Sequence, residues 1–191
     1  YWPSCPSDAQ YVFHYGDKPF LSVDGLLATY TDWRDVTVWP QVPGSEIAVH
    51  VKKLLTKQQD PLTKHGVVGA FCRTYGIREA LETFLPQAYA YVEGSTDRLT
   101  YVEGSTVGGA IIYDDDKFLY SHHSTDPCSG QLVNAFDLVR LHKFGQADET
   151  AKEGTPAHKL PSFAQMQKFA QEDERVAVEL QQERAKRSAS N

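Results

Sequence analysis

Between Gly108 and Gly145 the chain reads GGAIIYDDDKFLYSHHSTDPCSGQLVNAFDLVRLHKFG, and this stretch leaves few folds open. Two apolar, strand-like runs, Ala110 to Tyr113 and Phe118 to Tyr120, flank the acidic turn Asp114-Asp115-Asp116-Lys117, which predicts an antiparallel hairpin. A polar elbow follows, His122-His123-Ser124-Thr125-Asp126-Pro127-Cys128, and a helix opens at Asn134. The hairpin therefore feeds a helix through a joint that holds two histidines and a cysteine.

The flanks fit around this unit. Residues 1 to 45 are rich in aromatics, Pro, Gly and Asp; Tyr11 to Tyr15 and Phe20 to Val23 read as strands, and Asp24 as the cap of a short helix running to Tyr30. Trp33 and Trp39 are expected to cover the side of a core, base stacking being the less favoured role. From 46 to 88 three short helices are expected: Ile47 to about Lys57, Val67 to Tyr75 and Ile77 to Leu85, with Pro61, Gly76 and Pro86 as breaks. The hexapeptide Tyr91 to Thr96 recurs as Tyr101 to Thr106. Two copies ten residues apart are no solenoid, and they predict two further antiparallel strands, giving a four-stranded meander with an attached helix over 89 to 145. After Gly145 a polar segment leads to a helix from Phe163 to about Ala185, expected to serve as a linker rod over 146 to 191.

The totals narrow the function classes. The 191 residues, 41% hydrophobic and 23% charged, suffice for one compact domain with a smaller appendage and no staple. Cys5, Cys72 and Cys128 are odd in number and lack any CxxC pair, which argues against a disulfide framework and predicts a reducing, cytoplasmic setting. No apolar run approaches the roughly 18 residues that a membrane span needs, so no membrane partner is expected. The chain begins at Tyr1 without methionine and reads as a piece of a longer polypeptide. A net charge of -6 argues against broad electrostatic binding of nucleic acid and restricts any such contact to a local patch.

That patch is expected among the basic residues of the helical unit and the last helix: Lys52, Lys53, Arg73, Arg78 and Lys143, joined by His122 and His123 at the elbow. Asp114 and Asp116 fit a metal-binding pair less well than a solvated hairpin turn, because adjacent strand residues diverge and no third carboxylate is at hand. His122, His123 and Cys128, with His142 as a possible fourth donor, offer zinc-type ligands, but their spacing matches no standard pattern. Hydrogen bonding that fixes the elbow, with Asp126 capping the turn before Pro127, is the preferred reading. No cofactor is expected and no catalytic residue is assigned; a nucleophilic Cys128 lacks any sign of activation.

The strings KFLYSHHSTDPCSGQLVNAFDLVRLHKFG, GVVGAFCRTYGIREALETFL and YWPSCPSDAQYVF together resemble the middle of the virulence-associated-E type primase-helicases of phages and mobile elements. The SHH-x-x-DP elbow and the NAFDLVR helix are the most specific words, and the resemblance covers most of residues 1 to 145. It implies a place between a primase-polymerase domain, whose catalytic carboxylates would precede residue 1, and an ATP-driven helicase domain, whose phosphate loop would follow residue 191. Residues 1 to 45 would then close the primase-like domain. The hairpin, knuckle and helix are also similar, more remotely, to the zinc ribbon of bacterial replicative primases, without its paired cysteines and so without its metal.

The expected protein is thus α+β: a small helical unit, an antiparallel β-meander with attached helix of zinc-ribbon-like shape, and a C-terminal linker helix. The expected function is an accessory nucleic-acid-binding or domain-coupling module supporting primer synthesis in a bacterial host cell, with single-stranded DNA or primer-template and the flanking primase and helicase domains as partners. The alternatives are a protein-interaction module that blocks a host protein and, third, a metal-dependent nuclease.

Overall fold

The computed structural model describes residues 22–32, 54–55, 58–152 and 154–189. The chain divides into two compact units, Tyr1–Val42 and Pro43–Asn191. In the first, helix α1 spans Val23–Leu27. The Ser22 hydroxyl accepts from the Gly25 N–H at 3.2 Å, so Ser22 is the cap, while Asp24 lies in the first turn, where its charge suits the positive end of the helix. This helix replaces the end of the strand expected at Phe20 to Val23. Trp33, Trp39, the strand expected at Tyr11 to Tyr15, and Lys52 and Lys53 lie outside the described residues.

The second unit is α+β. Its sheet is an antiparallel meander in the order β1 to β5: Tyr89–Tyr91, Arg98–Tyr101, Ala110–Tyr113, Phe118–Ser121 and Leu132–Val133. The β3–β4 hairpin pairs Tyr113 with Phe118 and Ala110 with Ser121. Beyond the four expected strands, Leu132–Val133 pairs with Leu119 and Tyr120 as a short fifth. Side chains alternate between faces: Leu99, Ala110, Ile112, Leu119 and Val133 enter the main core, whereas Phe118, Tyr120 and Leu132 form a second cluster against Leu54, Leu55 and Tyr113.

Among the described residues, five helices supply the rest of the core. Helices α2 (Gly66–Thr74) and α3 (Ile77–Phe84) bury Phe71, Ile77 and Leu81; α4 (Ala135–Phe144) buries Phe136, Leu138 and Val139. The C-terminal helix is two, α5 (Pro161–Glu172) and α6 (Glu174–Ala189), and Met166, Ala170 and Val176 on them are fully buried in the same cluster. The division falls at Asp173, whose carboxylate accepts from the Val176 N–H at 3.0 Å and from the Tyr75 hydroxyl at 2.8 Å. These helices are core elements of the unit.

The acidic hairpin tip has a structural task. Asp114, Asp115 and Asp116 adopt φ values of 52, 48 and 73 degrees, a left-handed region that Asp tolerates better than most residues. The turn aims Asp116 at the start of α3, where Gly76 provides no side-chain cap. Its carbonyl accepts from the Ile77 N–H at 2.9 Å, and its carboxylate accepts from the Arg78 N–H and guanidinium, each at 3.0 Å. Lys117 pairs with Asp60 at 3.0 Å and Asp114 at 3.5 Å. Asp114 and Asp116 thus serve the hairpin, and neither belongs to a candidate metal group among the described residues.

Two further contacts fix the helices. The Asn134 side chain caps α4, accepting from the Asp137 N–H at 3.0 Å and donating to the Asp137 carboxylate at 3.1 Å. One turn on, buried Arg140 donates to Asp137 at 2.9 Å and to the Ser162 hydroxyl at 2.8 Å, with Asp148 at 3.6 Å, tying α4 to the start of α5. On α2, Gly69 lies against the Lys64 carbonyl, which also accepts from Arg73 at 2.9 Å.

Candidate functional site

The elbow is a closed loop held by its own backbone. The His122 N–H donates to the Gly109 carbonyl at 2.8 Å, the Gly130 N–H to Ser121 at 2.9 Å, and the Ser129 N–H to Asp126 at 2.8 Å. The Asp126 carboxylate accepts from the Cys128 N–H at 2.8 Å, an Asx turn across Pro127.

His123 is 3% exposed. Its Nε2 accepts from the Tyr101 N–H at 3.2 Å, and Nδ1 lies 2.8 Å from the Thr106 hydroxyl. A ring nitrogen that accepts carries no proton, so Nδ1 is the one that donates to Thr106. A Cβ added at Gly104 or Gly109 would meet the ring at 2.9 or 2.8 Å. The second copy of the repeated hexapeptide thus supplies Gly104 and Thr106 as two walls of an imidazole seat. His122 is half-buried against Tyr120, with ring centroids 4.7 Å apart. Burial, then the neighbouring His123 and Arg98, lowers its pKa. The structure does not assemble His122, His123 and Cys128 into a ligand set.

It assembles a different group. Asp126, Cys128 and His142 place one ligand-type atom each within 4.8 Å of one another. The Tyr89 hydroxyl joins them, donating to Asp126 Oδ2 at 2.7 Å and lying 2.9 Å from His142 Nε2, which is itself 3.4 Å from Asp126 Oδ1. The Asp126 side chain is fully buried and that of His142 is 6% exposed. The elbow brings Asp126 and Cys128, the β-sheet edge brings Tyr89, and the last turn of α4 brings His142. Burial raises the Cys128 pKa well above the usual thiol range, reinforced by the charges of Asp126 and Asp137, which removes the activated-nucleophile reading.

For Asp126, burial favours the protonated form, yet hydrogen bonds from His142, Ser121, the Cys128 N–H and Tyr89 prevail and hold its pKa below the ordinary value. A depressed carboxyl contributes stability that is present above the unfolded pKa, roughly pH 4, and is lost as pH falls below it. Asp126→Asn is therefore expected to flatten the acid limb of a stability-against-pH curve measured by urea unfolding. An unchanged acid limb contradicts the assignment.

The group borders an open groove of about 790 Å³ lined by Tyr101, Glu103, Pro127, His142, Lys143 and Glu149, among others. Lys143 is exposed, with Nζ 5.5 Å from the centre of the Phe169 ring. The arginines expected to meet nucleic acid are engaged elsewhere. Arg73 holds Glu179 at 2.6 Å and Glu183 at 2.7 Å, joining α2 to α6, and Arg78 holds Asp116 at 3.0 Å and also pairs with Asp97. Lys143 alone of the expected basic residues that the structure describes stands at the groove. Sequence reasoning missed Tyr89 entirely and gave Asp126 only a turn-capping role. The usable signal was Asp-x-Cys in the elbow with a histidine two turns into the helix that follows.

These residues define a small α+β module with a buried polar group opening towards a groove. A family model described as the VapE N-terminal domain matches residues 1–42, the span of the first unit. No curated protein and no solved structure matches the chain. Among the described residues no helix is long and apolar enough to cross a membrane.

Proposed function

We propose that the chain is an accessory module of a phage-type primase-helicase, contacting the single-stranded template during primer synthesis and coupling the flanking domains. The observation that carries this reading is the VapE N-terminal match at residues 1–42, together with the resemblance of the elbow and the NAFDLVR helix. The groove beside Lys143 is the proposed contact on the second unit, its exposed lysine meeting phosphate. Lys52 and Lys53 are the proposed further positive charges.

A fluorescence-anisotropy titration with labelled single-stranded DNA at graded salt tests it. Three lysine–phosphate contacts give a slope of log K against log salt of about -2. Lys143→Glu should make the slope shallower and weaken binding severalfold. No binding at low salt overturns template contact. It would favour a protein-interaction module, to which the net charge of -6 and the carboxylate pairing of Arg73, Arg78 and Arg140 also point.

A further inference from the structure

We infer that Asp126, Cys128 and His142 bind one zinc-type divalent ion, a site independent of the template reading. The ligand types fit: a thiolate and an imidazole select borderline-soft transition ions over magnesium or calcium, and a carboxylate oxygen completes three protein donors. The spacing fits as well. Two donors each about 2.0–2.1 Å from a tetrahedral ion lie about 3.4 Å apart, and His142 Nε2 stands 3.4 Å from Asp126 Oδ1. A thiolate at about 2.3 Å from the ion lies about 3.6 Å from the other donors. With all three atoms already within 4.8 Å, the Cys128 sulfur has at most about 1.2 Å to close.

The surroundings suit an ion. Tyr89 donates to Asp126 Oδ2 and the Cys128 N–H to Oδ1, which fixes the carboxylate as an outer partner does at metal sites and leaves Oδ1 its second lone pair for the ion. His142 lines the groove, so a water molecule can reach the fourth position. The ion displaces the Cys128 thiol proton to solvent, since only the thiolate ligates, and the proton that His142 Nε2 shares with Asp126 passes to Nδ1 through solvent, so that Nε2 meets the ion with its lone pair. In this fold the metal would join the elbow to the end of α4. His122 and His123 take no part: both ring nitrogens of His123 are held by Tyr101 and Thr106.

The test uses the full chain, stripped with chelator and titrated with cobalt(II), then with zinc. One cobalt per chain is expected, with the thiolate-to-cobalt charge-transfer band in the near ultraviolet and visible bands of tetrahedral intensity; zinc should abolish both by displacement. Cys128→Ser, nearly isosteric, should lose the charge-transfer band while keeping a native circular dichroism spectrum. His142→Gln should weaken cobalt binding by at least about 100-fold, the upper end of what an outer partner alone costs. His122→Ala should leave stoichiometry and spectrum unchanged. The site is overturned if the natively folded chain takes up no stoichiometric cobalt, if the band survives in Cys128→Ser, or if His122→Ala abolishes binding.

Discussion

Arg140→Ala is expected to destabilise the second unit by about 3–5 kcal/mol, which for a unit of this size lowers Tm by roughly 6–20 °C. The guanidinium is buried, 6% exposed at the side chain, and faces Asp137, Asp148 and Ser162 at once. Removing it takes their shared counter-charge from Asp137 and Asp148 and leaves a cavity the length of an arginine stem. Breaking a buried pair from one side is the costly way to lose it, because the partner charge stays behind. Arg140→Lys should fall between: one ammonium cannot span Asp137 and Ser162 as the planar fork does. Urea unfolding followed by circular dichroism checks both. A loss below about 1 kcal/mol for Arg140→Ala, the range of a solvent-exposed pair, would show that the contact does not hold the junction together.

Gly69→Ala should also destabilise, by about 2 kcal/mol or more, although the same change in an open helix stabilises by about 1 kcal/mol. The new Cβ falls on the Lys64 carbonyl, a backbone atom that no rotamer change can move, with Arg73 Nη1 2.8 Å away. Relief requires the 3-10 turn Pro61–Thr63 to lift from α2, and that movement breaks the two bonds Arg73 makes to the Leu62 and Lys64 carbonyls. The packing term exceeds the propensity term, so the sign reverses. Thermal denaturation decides: a variant more stable than the parent would mean that the turn moves freely.

The sequence showed most clearly where a single local rule was sufficient. The apolar runs at Ala110 to Tyr113 and Phe118 to Tyr120 match β3 and β4 to within one residue, because Asp and Lys between two strand-like runs leave only a hairpin. Helix α4 begins immediately after Asn134, as expected. The division at Asp173 was hidden: neither Gly nor Pro marks it, and the signal is an aspartate three residues before Val176, easily lost in a charged run. The expected nucleic-acid arginines failed to gather for a related reason. A basic residue in a list of charges carries no record of its partner, and Arg73 finds its partners more than 100 residues later. The Tyr89–Asp126–Cys128–His142 group was out of reach because pairing β1 against β2 and docking α4 on the sheet are long-range events. Only the spacing of Asp126 and Cys128 and the place of His142 in the helix that follows were local.

The Arg73 contacts also bear on how the chain acquires its structure. Helix α2 is closed by α6 across 110 residues, and the hairpin tip caps α3 across 38. An N-terminal portion leaving the ribosome therefore holds α2 without the cover of α6 until that helix emerges. Contacts closed over such separations slow folding and prolong the exposure of apolar surface. The charged outer face of α6, with Arg184, Lys186 and Arg187 near its end, then belongs to the segment that completes the domain. A truncation within it takes from α2 the partners of Arg73.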